Sequence, residues 1–288
     1  MLDFESDYPE WRQEKLDFWP TAKTLGVVSI QDPESLTFDE LEQLKALCEK
    51  INFAIYRLEE PDLASKSSIR ALGKQISMDD LDQNLCADED SVSSLRVMNF
   101  SLGSARGYIP YTTNMLNWHT DGYYNEQSKH IRSFLLHCIN RAESGGINIF
   151  INHELIYIHL YDRDPLLVTA LMQNDVMTIP ANTNPDEIRP AQTGPVFYRD
   201  PQTKALQMRY TARTRSIIWK DDPLVNEATS IIEELLADNR FVLRHALSAG
   251  EGFVCNNILH GRSSFINGNI PEKQRLLYRI RSYNRLFS

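Results

Sequence analysis

"MLNWHTDGYYN", residues 115–125, sets a His and an Asp two positions apart inside an aromatic run. On a strand, side chains i and i+2 point to the same face, so His119 and Asp121 can reach one metal ion together. With a third ligand from elsewhere, they would form a 2-His-1-carboxylate set, which holds iron(II) from one side and leaves positions open on the other. The triplet alone is a weak signal. With seven His and twenty Asp in 288 residues, composition yields a His-x-Asp about half of once. Read alone, it is equally a surface pair at a strand end.

The candidate third ligand is His260, in "CNNILHGRSSF" (255–265), at the end of an apolar strand and before a Gly. A lone His in such a place is more often structural. The other His read as structural too. His137 sits in the buried-strand pattern "FLLHC", and His153 and His159 lie in or near a short helix at a spacing that shares a face poorly. His130 and His245 have no acidic or His neighbour at ligand spacing.

Around these residues the chain alternates many short strands with a few helices. Thr37 and Glu40 form a capping-box pattern at the head of a helix on which Leu41, Leu44 and Leu47 recur at helical spacing. A second helix is expected over "SKSSIRALGKQI", and a third after Asp164 and Pro165, which read as N-cap and first helical residue. The clearest later helix is "DPLVNEATSIIEELLADN". Strands are expected at "NFAIYRL", "SSLRVMNF" (leading to a loop with Gly103 and Gly107), "IRSFLLHCI", "INIFI", "DVMTI", "PVFYR", "ALQMRY", "RFVLRHAL", "EGFVCNNIL" and "QRLLYRIRSY". This pattern suits a mainly β, antiparallel double-sheet jelly roll with helices packed outside. A parallel doubly wound sheet would need regular strand–helix alternation and a Gly-rich first turn, and neither is present.

Composition agrees with one globular domain over residues 1–288: hydrophobic residues are 42%, charged residues 24%, and no linker or repeat interrupts the chain. The net charge of −9 disfavours nucleic acid as a partner. Cys48, Cys86, Cys138 and Cys255 are far apart with no C-x-x-C, which reads as a reducing compartment. The acidic N-terminus lacks the apolar core of a secretory signal, and no apolar run is long enough for a membrane span. A cytoplasmic protein with a small-molecule substrate is expected, and a homo-oligomer stays open.

"WHTDGYYN", "LLHC", "SGGINIF", "NNILHGRSSF" and "RLLYRIR" follow one another in that order. Together they resemble the taurine dioxygenase-like (TauD/TfdA) family of iron(II)/2-oxoglutarate-dependent oxygenases, which includes gamma-butyrobetaine hydroxylase and clavaminate synthase. The resemblance runs from about residue 95 to the end. It implies a double-stranded β-helix of the clavaminate synthase-like kind, with His119, Asp121 and His260 on Fe(II) and O2 and 2-oxoglutarate as co-substrates. It also implies that Arg275 clamps the distal carboxylate of 2-oxoglutarate, a task suited to a planar guanidinium. Alternation puts Arg275, Leu277, Arg279 and Arg281 on one strand face. The bland alternative is an exposed edge strand blunted by charge. Arg279 is the second choice for the clamp, or reaches the substrate. After "GG" the family usually has a Thr on the same carboxylate, whereas Asn148 stands here, with an amide able to donate. Arg262 reads as structural or as orienting a ligand, and not as binding iron.

The implied reaction oxidises an unactivated C–H bond, usually to an alcohol, with succinate and carbon dioxide as co-products. A carboxylate as third ligand argues against halogenation. Tyr123, Tyr124 and Asn125 are candidate substrate contacts, and Arg209, Arg213 and Arg215 form a basic cluster that suits a small carboxylate, sulfonate or amino acid. The alternatives are a hydroxylase of protein or peptide side chains, a zinc hydrolase on the same ligands, and a binding module whose metal is structural.

Overall fold

The computed structural model describes residues 4–20, 24–83, 90–98, 109–183, 188–213 and 217–288. Cys86, Arg215 and the expected loop glycines Gly103 and Gly107 lie outside the described residues. In chain order the strands are β1 (Val27–Ile30), β2 (Phe53–Leu58), β3 (Ser93–Leu95), β4 (Leu116–His119), β5 (Ser133–Asn140), β6 (Ser144–Gly145), β7 (Asn148–Ile151), β8 (Met177–Ile179) and β9 (Gln192–Gly194). They continue with β10 (Phe197–Arg199), β11 (Leu206–Met208), β12 (Ile218–Trp219), β13 (Leu243–His245), β14 (Glu251–Cys255), β15 (Leu259–Arg262), β16 (Phe265–Ile266) and β17 (Leu276–Ser282). The helices are α1 (Phe4–Phe18), α2 (Phe38–Ile51), α3 (Lys66–Gln75), α4 (His153–Arg163), α5 (Pro165–Leu171) and α6 (Pro223–Ala237).

Two sheets dominate. The larger has the order β1-β2-β14-β5-β17-β3, and the smaller the order β13-β7-β15-β4. Strand alternation explains their packing. Phe53, Ile55, Phe134, Leu136, Phe253 and Leu277 of the larger sheet meet Phe150 and Leu243 of the smaller one in a single core. Phe150 lies 4.6 Å from Phe53 and 4.8 Å from Phe253, ring centre to ring centre. The intervening residues Ala54, Tyr56, Leu135, Val254 and Ile280 face the other way, onto Leu44 and Cys48 of α2 and Ile69 and Leu72 of α3. The mainly β jelly roll with flanking helices is therefore the observed fold.

Local chemistry starts the helices where the sequence places them. Thr37 Oγ1 accepts from the Glu40 N–H, and Glu40 Oε2 accepts from the Thr37 N–H, closing the capping box. Asp164 and Asp222 each cap a helix whose first residue is Pro. Helix α1 has no counterpart in the sequence reading. It is held by tertiary packing of Tyr8 and Trp11 on Tyr157 and Tyr161 of α4.

Three details differ from the strand reading. "EGFVCNNIL" is not one strand: β14 ends at Cys255, Asn257 takes a left-handed conformation (φ +50°), and β15 begins at Leu259 in the other sheet. An apolar run that crosses from sheet to sheet keeps its hydrophobicity, so periodicity does not reveal the break. The β1–β2 pair is parallel within an otherwise antiparallel sheet. Strand β17 is not an edge, since it lies between β5 and β3. Its arginines are therefore interior, and edge protection does not explain them. Among the described residues no helix is long and apolar enough to cross a membrane.

Candidate metal centre

Strands β4 and β15 pair so that His119 stands directly opposite His260, with ring centres 4.3 Å apart. Asp121 Oδ1 lies 3.5 Å from His119 Nε2 and 3.8 Å from His260 Nε2. One ligand atom from each of the three residues lies within 4.8 Å of the others, and all three residues are buried. The geometry differs from the sequence argument in one respect. Strand β4 stops at His119, so Asp121 does not follow strand alternation. It sits at a turn, followed by Gly122 at φ +66°, and its carboxylate returns toward the imidazoles.

The donor set fits a divalent first-row cation. His119 Nδ1 lies 2.9 Å from the Asn117 carbonyl, and His260 Nδ1 lies 3.0 Å from the Ile258 carbonyl. A carbonyl only accepts, so each Nδ1 carries a proton and each Nε2, the ring atom that faces Asp121, is left as the ligand atom. Burial, reinforced by His119, lowers His260 to about 3, which leaves its imidazole neutral. Burial pushes the Asp121 carboxyl upward, but the Arg279 and Arg281 guanidiniums outweigh it and hold the group well below the usual range. Arg279 Nη1 is 3.6 Å from Asp121 Oδ2, yet Oδ2 accepts no hydrogen bond among the described residues. A buried carboxylate oxygen without a donor is costly unless a cation is its partner.

A cavity leads from the two imidazoles between the sheets, lined among others by Phe134, Phe253, Asn148, Arg275 and Arg279. Arg275 precedes a bulge at the start of β17 and is only 6% exposed. Its guanidinium lies 5.1 Å from the Phe265 ring and makes no hydrogen bond or ion pair among the described residues. Burial, with Arg262 nearby, pushes it down to about 9. The "GG" turn makes this placement feasible. Gly145 has φ +75°, and a Cβ there would lie 2.2 Å from the Ser264 carbonyl oxygen, while Gly146 has φ +68° and a Cβ there would only touch Arg275 Nε, at 3.4 Å. Asn148 lines the same cavity, with its amide donating weakly to the His245 carbonyl at 3.4 Å. Arg262 donates to the carbonyls of Pro110, Thr112 and Asn114, so it fixes that segment beside the cavity.

On the open side, Tyr123 lies edge-on to His119 at 6.4 Å, with Thr211 and Arg213 near its hydroxyl. The Tyr124 hydroxyl accepts from Arg281 Nη1 at 3.3 Å, and the Arg189 guanidinium lies 5.3 Å from its ring centre. Arg281 also pairs with buried Asp82. Two of the sequence candidates are spent elsewhere. Arg209 donates to the carbonyls of Met177, Gln192, Gly194 and Pro195, so it holds a loop together. Asn125 donates to the Lys129 carbonyl and closes its own turn.

Of the five other His, three have polar partners, His137 with the Tyr56 hydroxyl, His153 with the Leu206 carbonyl and His245 with Glu251 at 3.1 Å, while His130 and His159 pack against the rings of Tyr198 and Phe241. Sequence reasoning missed Asp82, Arg189 and Asn257. Of these only Asn257 carried a sequence signal, as a left-handed-tolerant residue inside an apolar run.

The sequence matches the family described as "Taurine catabolism dioxygenase TauD, TfdA family" over residues 14–281. No curated protein matches it significantly. Among solved structures, an asparagine oxygenase in complex with Fe(II), 2S,3S-3-hydroxyasparagine and succinate superimposes with TM-score 0.61 at 13% identity, covering 98% of this chain and 92% of that one. AAD-2 in complex with Mn(II) and N-oxalylglycine gives 0.61 at 13% identity, covering 91% and 94%. A taurine dioxygenase from Burkholderia xenovorans gives 0.55 at 17% identity, covering 88% and 84%. At these identities the structures share the fold.

Proposed function

This chain belongs to the taurine catabolism dioxygenase TauD, TfdA family, and we propose that within it the chain hydroxylates an unactivated C–H bond of a small anionic or amino-acid-like metabolite. Enzymes of this family use Fe(II), 2-oxoglutarate and O2; O2 is the oxidant, one oxygen atom entering succinate as 2-oxoglutarate loses carbon dioxide and the other oxidising the substrate, with the metal mediating. The whole chain acts as one oxygenase domain, with α2 and α3 backing the larger sheet.

The residues divide the work. His119 and His260 offer Nε2 lone pairs and Asp121 an ionised carboxylate, so these three hold the iron. Arg275 receives the distal carboxylate of 2-oxoglutarate in a charge-assisted pair, and Asn148 donates a second hydrogen bond to it. Phe134, Leu136 and Phe253 line the space between and keep water from the reacting centre. Tyr123 and Tyr124 form the substrate wall. Arg279, beside Asp121, meets the anionic group of the substrate, with Arg213 adding positive charge near Tyr123.

The observation that carries this reading is the pairing of two features in one cavity: three converging metal donors, and a buried guanidinium without an anionic partner among the described residues. A zinc hydrolase has no task for Arg275, so this feature favours the oxygenase. The test is succinate release across amino acids, small carboxylates and sulfonates, with product mass measured. Stimulation by at least one small anion, abolished by Asp121→Ala, is the expected result. Stimulation by peptides alone would sink the small-molecule assignment, and failure to consume 2-oxoglutarate with Fe(II) would sink the reaction.

A further inference from the structure

Asp121 lies beyond the end of β4, and the main chain that carries it is held by one side chain. Asn257 Oδ1 accepts from the Asp121 N–H at 2.8 Å, and Asn257 Nδ2 donates to the Asp121 carbonyl at 3.0 Å. The same Nδ2 donates to the Ile131 carbonyl at 2.7 Å, so both its protons and the carbonyl oxygen are engaged. Asn257 is 3% exposed and occupies the left-handed step between β14 and β15, three residues before His260. On the opposite side of the turn, Ile131 closes over Gly122, where a Cβ would come within 2.5 Å of Ile131 Cγ1. The carboxamide thus joins the Asp121 turn to the strand that bears His260.

We propose that Asn257 is a positioning residue of the metal centre, locking Asp121 to His260 so that carboxylate and imidazole are presented as one rigid unit. The inference rests on the assignment of His119, Asp121 and His260 as metal ligands. Residues behind a ligand act in this way by restricting its orientation, and their loss costs about 10- to 100-fold in metal affinity. The competing account is that Asn257 only satisfies buried backbone groups. In that case its removal would lower stability and leave metal binding alone.

The neighbouring Asn256 separates the two accounts. It is 2% exposed, and it donates to Asn52 Oδ1 and accepts from the Leu286 N–H, away from the metal centre. Asn257→Gly keeps the left-handed backbone accessible and removes the carboxamide. Asn257→Ser leaves a hydroxyl too short to span both carbonyls and serves if the Gly variant does not fold. Mn(II) affinity, the absorption of the anaerobic Fe(II)–2-oxoglutarate complex, and the melting temperature of the metal-free protein are to be measured for each variant and for Asn256→Ala. The expected result is Mn(II) binding weakened about tenfold or more in the Asn257 variants, with a shifted or weakened absorption band. Asn256→Ala is expected to melt earlier and bind Mn(II) as wild type does. Wild-type Mn(II) affinity in the Asn257 variants would overturn the proposal. A wild-type protein that binds neither Mn(II) nor Fe(II) would overturn the ligand assignment, and the proposal with it.

Discussion

Replacing Arg275 with Met is expected to stabilise the metal-free protein while crippling its hold on 2-oxoglutarate. The two effects have opposite signs on the proposal that the buried guanidinium serves a ligand. Burial brings Arg275 down to about 9 from 12.5. At about 1.4 kcal/mol per tenfold change, this sets a ceiling of roughly 5 kcal/mol on the cost of keeping the charge inside. Relaxation and water lower that ceiling, and the Met variant loses a cation–π contact with Phe265 worth about 1 kcal/mol. A net gain of about 1–3 kcal/mol remains, or roughly 2–6 °C in Tm for a protein of this size. Against this, a carboxylate that loses a buried cationic partner loses about 2–5 kcal/mol of binding. That corresponds to roughly 30-fold to several thousand-fold weaker binding of 2-oxoglutarate. Thermal unfolding of the metal-free protein gives the first number. Titration of the Mn(II) protein with 2-oxoglutarate gives the second. A variant that melts earlier than wild type and binds 2-oxoglutarate equally well would refute both the desolvation argument and the role of Arg275.

Gly122→Ala puts a Cβ at φ +66° and within 2.5 Å of Ile131 Cγ1, so it is expected to cost about 1–3 kcal/mol and to weaken Mn(II) binding by displacing Asp121. Calorimetry of the variant checks both effects: unchanged stability would show that the turn is not strained by a Cβ, and unchanged metal affinity that it does not place Asp121. A third expectation concerns acid. Burial lowers His130, His137 and His153 to about 4 each, against 6.5 in the unfolded chain. Between these values the unfolded chain binds more protons, so the stability these groups contribute is complete above pH 6.5 and is lost as pH falls through about 4. Urea midpoints measured from pH 7 to pH 4.5 are expected to drop steadily. His137→Gln is expected to flatten the slope, and a flat wild-type profile over that range would contradict the burial of these imidazoles.

Much of the fold was legible because its determinants are local. The Thr37–Glu40 cap, the Asp164–Pro165 and Asp222–Pro223 starts and the apolar strands are each written in a few adjacent residues. Helix α1 was not legible, since it depends on aromatic partners about 150 residues away. The break at Asn257 was hidden because apolar character continues through it from one sheet into the next.

The candidate site divides in the same way. The sequence by itself determined which groups are available: two His and an Asp of the right chemistry, a C-terminal strand with an Arg at every second position from Arg279, and Arg275 two residues before Leu277. Tertiary structure decided which of them converge. Pairing of β4 with β15 sets His119 against His260, and the interior place of β17 turns Arg279 toward the cavity and Arg281 onto Asp82 and Tyr124, away from water. It also decided which cations remain available, taking Arg209 and Arg262 for backbone carbonyls while leaving Arg275 without a protein anion among the described residues. The physical reason is that a side chain's identity is fixed by covalent structure, whereas its desolvation and its partners depend on elements far apart in the chain.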